Sequence, residues 1–400
     1  MSDQITGLEL TVPVGVVEPI SSATNRSGDL TDRAVMLAHD FDGDGWPELV
    51  LGVGEADVDA LDSGAVYLYR GTEDGLESVP ERVYATDDKG AMAGQALAVG
   101  DFDGDGTTDL AVGVPEADPG VKDGGAVRIY AGQQGDMPGA TVVQTLGGPF
   151  AGDKLGSSVV ACDFNADGVD DLVATAKRAE NRALVQPFNE QGAVFLYLGH
   201  EGEGLSEVAD QIIYGHVLVE GELEQRMGLL LGHAAAAGDF DGDGACDLVV
   251  STVDWSFEEE GANRQDGGVF LYRGQHAEPG VSGGIEVTPS RVWAANDEEM
   301  SGSRFGWGLL AADLNGDGLA DVVANQGRYL NPEAGGNTHG ALNVFFGELL
   351  PNQTPEAPIP VQEADWRVEG DKSGEGLGNI LAFGDVGLDG SFELVVGVPM

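Results

Sequence analysis

Residues 39–50 read HDFDGDGWPELV. Asp40, Asp42 and Asp44 alternate along the chain, Gly45 follows, and Glu48 stands ninth counted from Asp40. Alternate side chains of a tightly curled loop converge on one point, and glycine permits the curl. A hard cation such as Ca2+ takes roughly six to eight oxygens at about 2.3–2.6 Å. Asp40, Asp42, Asp44, the carbonyl at position 7 and Glu48 are expected to supply them with water, while Phe41 at position 2 turns inward. An EF-hand is excluded, because it needs a bidentate glutamate at position 12 and a helix on either side. Position 12 here is Leu51, and the run ELVLGV that leaves the loop reads as a strand.

The same stretch recurs. It returns as DFDGDGTTDL from Asp101, DFNADGVDDL from Asp163, DFDGDGACDL from Asp239 and DLNGDGLADV from Asp313, and in worn form as DVGLDGSFEL from Asp385. Position 12 is Val112, Ala174, Val250, Ala324 and Val396 in these copies, so none carries the EF-hand ligand. Seven residues before the first aspartate stands a glycine (Gly94, Gly156, Gly232, Gly306 and Gly378), replaced by Arg33 in the first copy. Small and apolar residues fill the gap, a short buried strand; a second, β-branched strand follows each loop. A third element reads GAVYLYRG, GAVRIYAG, GAVFLYLG, GGVFLYRG and GALNVFFG, and a fourth ERVYAT, TVVQTL, DQIIYG, SRVWAA and DWRVEG. Four short strands per unit, in tandem, predict an all-β propeller of antiparallel blades.

At these residues the chain resembles the FG-GAP repeat family known from integrin α-subunits. Phe305-Gly306 matches the FG, and Gly113-Val114-Pro115 and Gly397-Val398-Pro399 approach the GAP; the fourth and fifth copies lack such an end. The resemblance runs from about residue 30 to 400 and implies a propeller, usually seven-bladed, with calcium in the loops between first and second strands. The expected division is 1–32 for N-terminal strands and a connector, 33–88 for blade 1, 89–150 for blade 2, and 151–224 for blade 3. Residues 225–300 form blade 4, 301–372 blade 5 and 373–400 a partial blade 6. Two alternatives stay open: LELTVPVGVVEPI near the N-terminus closes the ring, or the chain is a piece of a longer propeller protein.

Ligand counts rank the loops. Asp40, Asp42, Asp44 and Glu48, then Asp101, Asp103, Asp105 and Asp109, then Asp239, Asp241, Asp243 and Asp247 offer four carboxylates each. Asp163, Asn165, Asp167 and Asp171, and Asp313, Asn315, Asp317 and Asp321, exchange one charge for an amide oxygen. The sixth loop keeps Asp385, Asp389 and Glu393 but has Gly387 at position 3 and is expected to bind weakly or stay empty. About five Ca2+ ions with a structural role follow. Without them each loop is an acidic turn held by hydrogen bonds.

Lys and Arg total 19 against 69 Asp and Glu, a net charge of −50. Such a field repels phosphate backbones and anionic lipid. Nucleic acid and membrane surface are therefore poor candidates, and the resemblance with its variable loops implies instead an extracellular protein or a glycan as partner. No apolar run reaches the ~20 residues of a membrane helix, and MSDQITGLEL has no signal-peptide pattern. Calcium loops filled at millimolar concentration nevertheless favour the cell exterior. Cys162 and Cys246 sit at different positions relative to their loops and read as small buried hydrophobes with no disulfide, leaving the compartment undecided.

No HExxH, GxSxG or P-loop occurs, and the six histidines are scattered, which argues against catalysis. An enzyme-appended propeller is the alternative, since some carbohydrate-active and phospholipid-cleaving proteins carry such domains. His39 and His233 are expected to pack. The variable segments between second and third strands lie on the face opposite the acidic loops. They present Arg178, Arg182, Trp255, Arg264, Arg328 and Tyr329 as weak candidates for partner binding. The sequons at Asn25 and Asn352 matter only in a eukaryotic secretory pathway.

Overall fold

In a computed structural model the chain is all-β. The structure describes residues 34–183, 190–219, 222–224, 229–253, 266–295, 302–329, 339–348, 358–370, 377–378, 380–384 and 393–397. The N-terminal segment expected to close the ring lies outside them, as do Arg33, Trp255, Arg264, Asp385 and Asp389.

Five four-stranded antiparallel blades follow one another, each with its strands in chain order. Blade 1 comprises Ala34–His39, Glu48–Val53, Ala65–Tyr69 and Arg82–Ala85. Blade 2 comprises Ala96–Gly100, Asp109–Val114, Ala126–Tyr130 and Val142–Gly147; blade 3, Leu155–Cys162, Asp171–Ala176, Ala193–Tyr197 and Gln211–Tyr214. Blade 4 comprises Ala235–Gly238, Asp247–Thr252, Gly268–Tyr272 and Arg291–Ala294, and blade 5 Phe305–Ala312, Asp321–Gln326, Ala341–Phe345 and Trp366–Glu369. Of a sixth blade the described residues give one hairpin, Ile380–Gly384 with Glu393–Gly397. Ile359–Pro360, from the connection inside blade 5, pairs parallel with the outer strand of blade 4.

The third strands show why the blades associate. Every residue of AVYLY, AVFLY, GVFLY and ALNVF is buried. Alternation sends successive side chains to opposite faces. Val66 and Leu68 meet Leu97 and Leu110 of blade 2, while Val194 and Leu196 meet Leu248 and Val250 of blade 4. The core is thus a series of apolar layers between blades rather than one central cluster. The innermost strands are small-residued because they crowd around a central channel, lined by Met36, Ala98, Ser158, Ala235, Gly308 and Leu381 among others.

Two glycines per repeat lock the blades. Gly64, Gly125, Gly192, Gly267 and Gly340 open the third strands and bridge to Ala93, Leu155, Leu231, Phe305 and Leu377 of the next blade. A Cβ on Gly125 would stand 2.3 Å from the Leu155 carbonyl oxygen, and one on Gly156 2.3 Å from that of Ala126. Both glycines also have positive φ, 78° and 85°. Only glycine tolerates both constraints.

The cysteine reading is corrected. Cys162 and Cys246 form a disulfide, with Cα atoms 6.0 Å apart and a sequence separation of 84. It joins the end of the first strand of blade 3 to the start of the second strand of blade 4.

Candidate metal centres

Each acidic loop is built alike. The position-1 aspartate turns both oxygens back into the loop: Asp40 accepts from the Gly43 and Gly45 N–H groups, Asp101 from Asp105 and Gly106, and Asp313 from Gly316, Asp317 and Gly318. Position 3 accepts from the N–H of position 5, and position 5 from that of position 7, in all five described loops. The position-6 glycines have φ between 84° and 93°, which aims those N–H groups inward. Position 2 packs away from the loop: Phe41, Phe102, Phe164 and Phe240 are buried.

Position 9 has a second task. Asp171 Oδ2 accepts from the Phe164 N–H at 3.0 Å and its Oδ1 from Gly199 N–H at 2.9 Å. Asp247 does the same with Phe240 and Gly274, as do Asp109, Asp321 and Glu48 with their counterparts. One buried carboxylate therefore staples the loop entrance to the end of the third strand. Burial pushes these acids up, Asp109 to about 6 and Asp171 and Asp247 to about 7, against the hydrogen bonds that pull them down. Glu48 and Asp321 are raised for the same reason.

Candidate ligand atoms of Asp40, Asp42 and Glu48, of Asp101, Asp103 and Asp105, and of Asp239, Asp241 and Asp247 each lie within 4.8 Å of one another. A carboxylate oxygen has two lone pairs, so an oxygen holding one N–H can still meet a cation. This hard, all-oxygen donor set suits Ca2+. In the third and fifth loops the amides of Asn165 and Asn315 lie on Asp167 and Asp317, each at 2.9 Å. Of the sixth loop only Glu393, which opens the last strand, falls among the described residues.

Sequence reasoning missed two arginines. Arg70, just past the third strand of blade 1, pairs its Nη1 with Asp42 Oδ2 and its Nε with Glu81 at 2.6 Å. Arg273, the same residue of blade 4, pairs with Asp241 at 2.5 Å and Asp243 at 3.4 Å. The signal was present in the shared YRG ends of the third strands. Neighbouring loops are also tied to one another. The position-8 N–H groups of Asp170, Cys246 and Ala320 donate to the position-1 carbonyls of Asp101, Asp163 and Asp239 in the blade before.

On the opposite face, Arg178 is half-exposed and pairs with Glu190 at 3.2 Å. Arg182 pairs with the buried Asp153 at 3.1 Å and lies 4.3 Å over Phe150, so its charge is committed internally. Tyr329 is buried beneath Arg367, 4.6 Å from its ring, and Arg328 is exposed. Arg178 and Arg182 both attach to Asp153, the first through its N–H to the carbonyl, while Arg328 and Tyr329 belong to blade 5. His39 bonds Thr108 Oγ1 of the next blade at 3.0 Å, and His233 lies tilted against Trp307 with ring centroids 4.4 Å apart. Both histidines pack between blades.

Residues 32–69, 93–130, 155–197 and 305–338 match the FG-GAP repeat model. The chain is an FG-GAP repeat propeller. Blade 4 shares the strand order and loop geometry of the matched repeats, although no match falls on it. This FG-GAP propeller is 30% identical over 239 residues to integrin alpha-5 of Xenopus laevis, covering 58% of the chain and 19% of that protein. It is also 30% identical over 231 residues to phosphatidylinositol-glycan-specific phospholipase D of Rattus norvegicus, covering 57% of the chain and 24% of that protein. Integrin alpha-4 of Xenopus laevis is 26% identical over 280 residues, with 68% of the chain and 23% of that protein covered. The propeller thus spans a quarter or less of the length of these relatives. No helix among the described residues is long and apolar enough to cross a membrane.

Proposed function

We propose that the chain is a calcium-stabilised recognition or adhesion module that works outside the cytoplasm, with an extracellular protein or glycan as partner. The observation that carries the calcium reading is the gathering of three carboxylates within 4.8 Å in loops 1, 2 and 4. Charges that close repel one another unless a cation sits among them. Asp40, Asp42, Asp44 and Glu48, with their counterparts in loops 2 to 5, would hold the ions, and the ions would fix the turns rather than do chemistry. The disulfide supports export, because such bonds persist in oxidising compartments. The integrin relatives support recognition over catalysis.

The test is thermal unfolding with calcium and with EDTA, beside a calcium titration by calorimetry. Binding to the folded state alone stabilises by about 2.7 kcal/mol per site at a hundredfold excess over Kd. A melting curve unmoved by EDTA would sink this reading. The match to phosphatidylinositol-glycan-specific phospholipase D favours a second reading, the propeller portion of a secreted enzyme. Turnover of a glycan or phospholipid by the chain, with no binding partner, would favour it.

A further inference from the structure

Loops 1 and 4 each carry four carboxylates and one arginine, Arg70 or Arg273, seated on the position-3 aspartate. Loops 3 and 5 carry an asparagine at position 3 and apolar Leu198 or Phe346 where the arginine would be. In these four loops position 3 is thus either a neutral asparagine or an aspartate paired with an arginine. Loop 2 breaks the pattern. It has Asp103 at position 3, yet the third strand of blade 2 ends in Ala131. Among the described residues no cation pairs with Asp103.

Ala131 does not leave packed protein behind. It lines a cavity of about 720 Å3 between blades 2 and 3, together with Asp103, Asp109, Gln144, Glu203 and Glu207. Gln144, the third residue of its fourth strand, holds the place that blades 1 and 4 give to Arg82 and Arg291, as pairing with the third-strand residues Leu68, Ile129 and Leu271 establishes. In blade 1 Arg82 fills the corresponding slot, reaching the Met137 carbonyl and Asp136 of the next blade. In blade 2 the two long cations of that slot have become alanine and glutamine.

We infer that this cavity receives an arginine side chain from a partner protein, which takes the place Arg70 and Arg273 hold in their own blades. Asp103 accepts the guanidinium, as Asp42 and Asp241 do. Glu203 and Glu207, from the connection between the third and fourth strands of blade 3, line the cavity from the neighbouring blade. Ile129, Val143 and Leu205 offer apolar surface to the methylene stem. The planar fork matches carboxylates better than an ammonium does. Asp103 also belongs to the loop 2 carboxylates proposed to hold calcium, so binding is read both in calcium and in EDTA.

The full chain is titrated with N-acetyl-Gly-Arg-Gly-amide and with its citrulline counterpart, in calcium and in EDTA, followed by saturation-transfer NMR and calorimetry. The arginine peptide is expected to bind roughly tenfold or more tighter than the citrulline peptide, the size of one charge-assisted hydrogen-bonded pair. Ala131→Arg fills the cavity from within and should abolish that binding while raising the melting temperature. Glu203→Gln/Glu207→Gln, on an exposed hairpin, should weaken binding several-fold without unfolding the chain. Equal binding of both peptides, or arginine binding untouched by both variants, overturns the inference. So does loss of one calcium equivalent in Ala131→Arg without any peptide binding to the parent chain, which would assign the cavity to a metal ion. Failure of the metal reading would appear separately, as no calcium heat at all.

Discussion

Removing the Cys162–Cys246 bond isolates one covalent link between two neighbouring acidic loops. Cys162 immediately precedes Asp163, the first position of loop 3, and Cys246 immediately precedes Asp247, the ninth of loop 4. In the chain-entropy account, the 84-residue separation corresponds to about 4.5 kcal/mol of restraint on the unfolded chain. Spread over the unfolding entropy of a single cooperative unit of 400 residues, near 2 cal/mol/K per residue, that is a fall of about 5 °C in Tm. The double variant Cys162→Ala/Cys246→Ala is preferred to single ones, which leave a free thiol. Scanning calorimetry in saturating calcium, with and without a phosphine reductant, reads the shift. The parent under reductant and the double variant should agree, and the variant should ignore reductant. A Tm unchanged within ~1 °C would refute the entropic reasoning and mean that the Cys246 N–H to Asp163 carbonyl bond at 2.9 Å, with its siblings, already holds the blades.

The buried position-9 acids give a pH dependence. Asp171 and Asp247 have folded pKa values raised to about 7, above their unfolded values, so protonation favours the fold. In EDTA their contribution is fully present below the unfolded pKa and is lost as pH rises through about 7. The Tm gain from calcium should therefore shrink as pH falls from 8 towards 5.5, read by scanning fluorimetry; a constant gain would contradict this. Asp247→Asn should cost about 1–3 kcal/mol by urea unfolding, because an amide NH2 then faces the Phe240 or Gly274 N–H. Gly156→Ala and Gly106→Ala share a φ near 85°, but only the first meets a backbone atom, at 2.3 Å. Gly106→Ala should cost about 1–2 kcal/mol and Gly156→Ala clearly more, and equal costs would refute the inter-blade lock.

What the sequence exposed was everything that repeats. The period-two aspartates, the glycine at position 6 and the apolar third strands each follow from local geometry, so one copy predicts the next. Strands such as RVYA at 82–85 and WRVE at 366–369 were legible because the same slot recurs in each unit. What stayed hidden lies between units. Cys162 and Cys246 occupy the place immediately before position 1 of one loop and position 8 of the next, and nothing in either blade alone brings those places together. The other blades show that this is a general contact. His39 meets Thr108 there, the Asp101 N–H meets Asp170 Oδ2 at 2.9 Å, and a Cβ on Gly238 would touch Ala320 at 2.7 Å. Aligning position 0 of each repeat with position 8 of the following one exposes the disulfide as one filling of a recurring slot. The arginines were missed for a related reason. Their charge appears only when the third-strand end is compared with loop position 3 of its own blade, some 28 residues earlier for Arg70 and Asp42. Set side by side, those two columns covary in four blades and disagree in blade 2, where Ala131 leaves Asp103 facing open space.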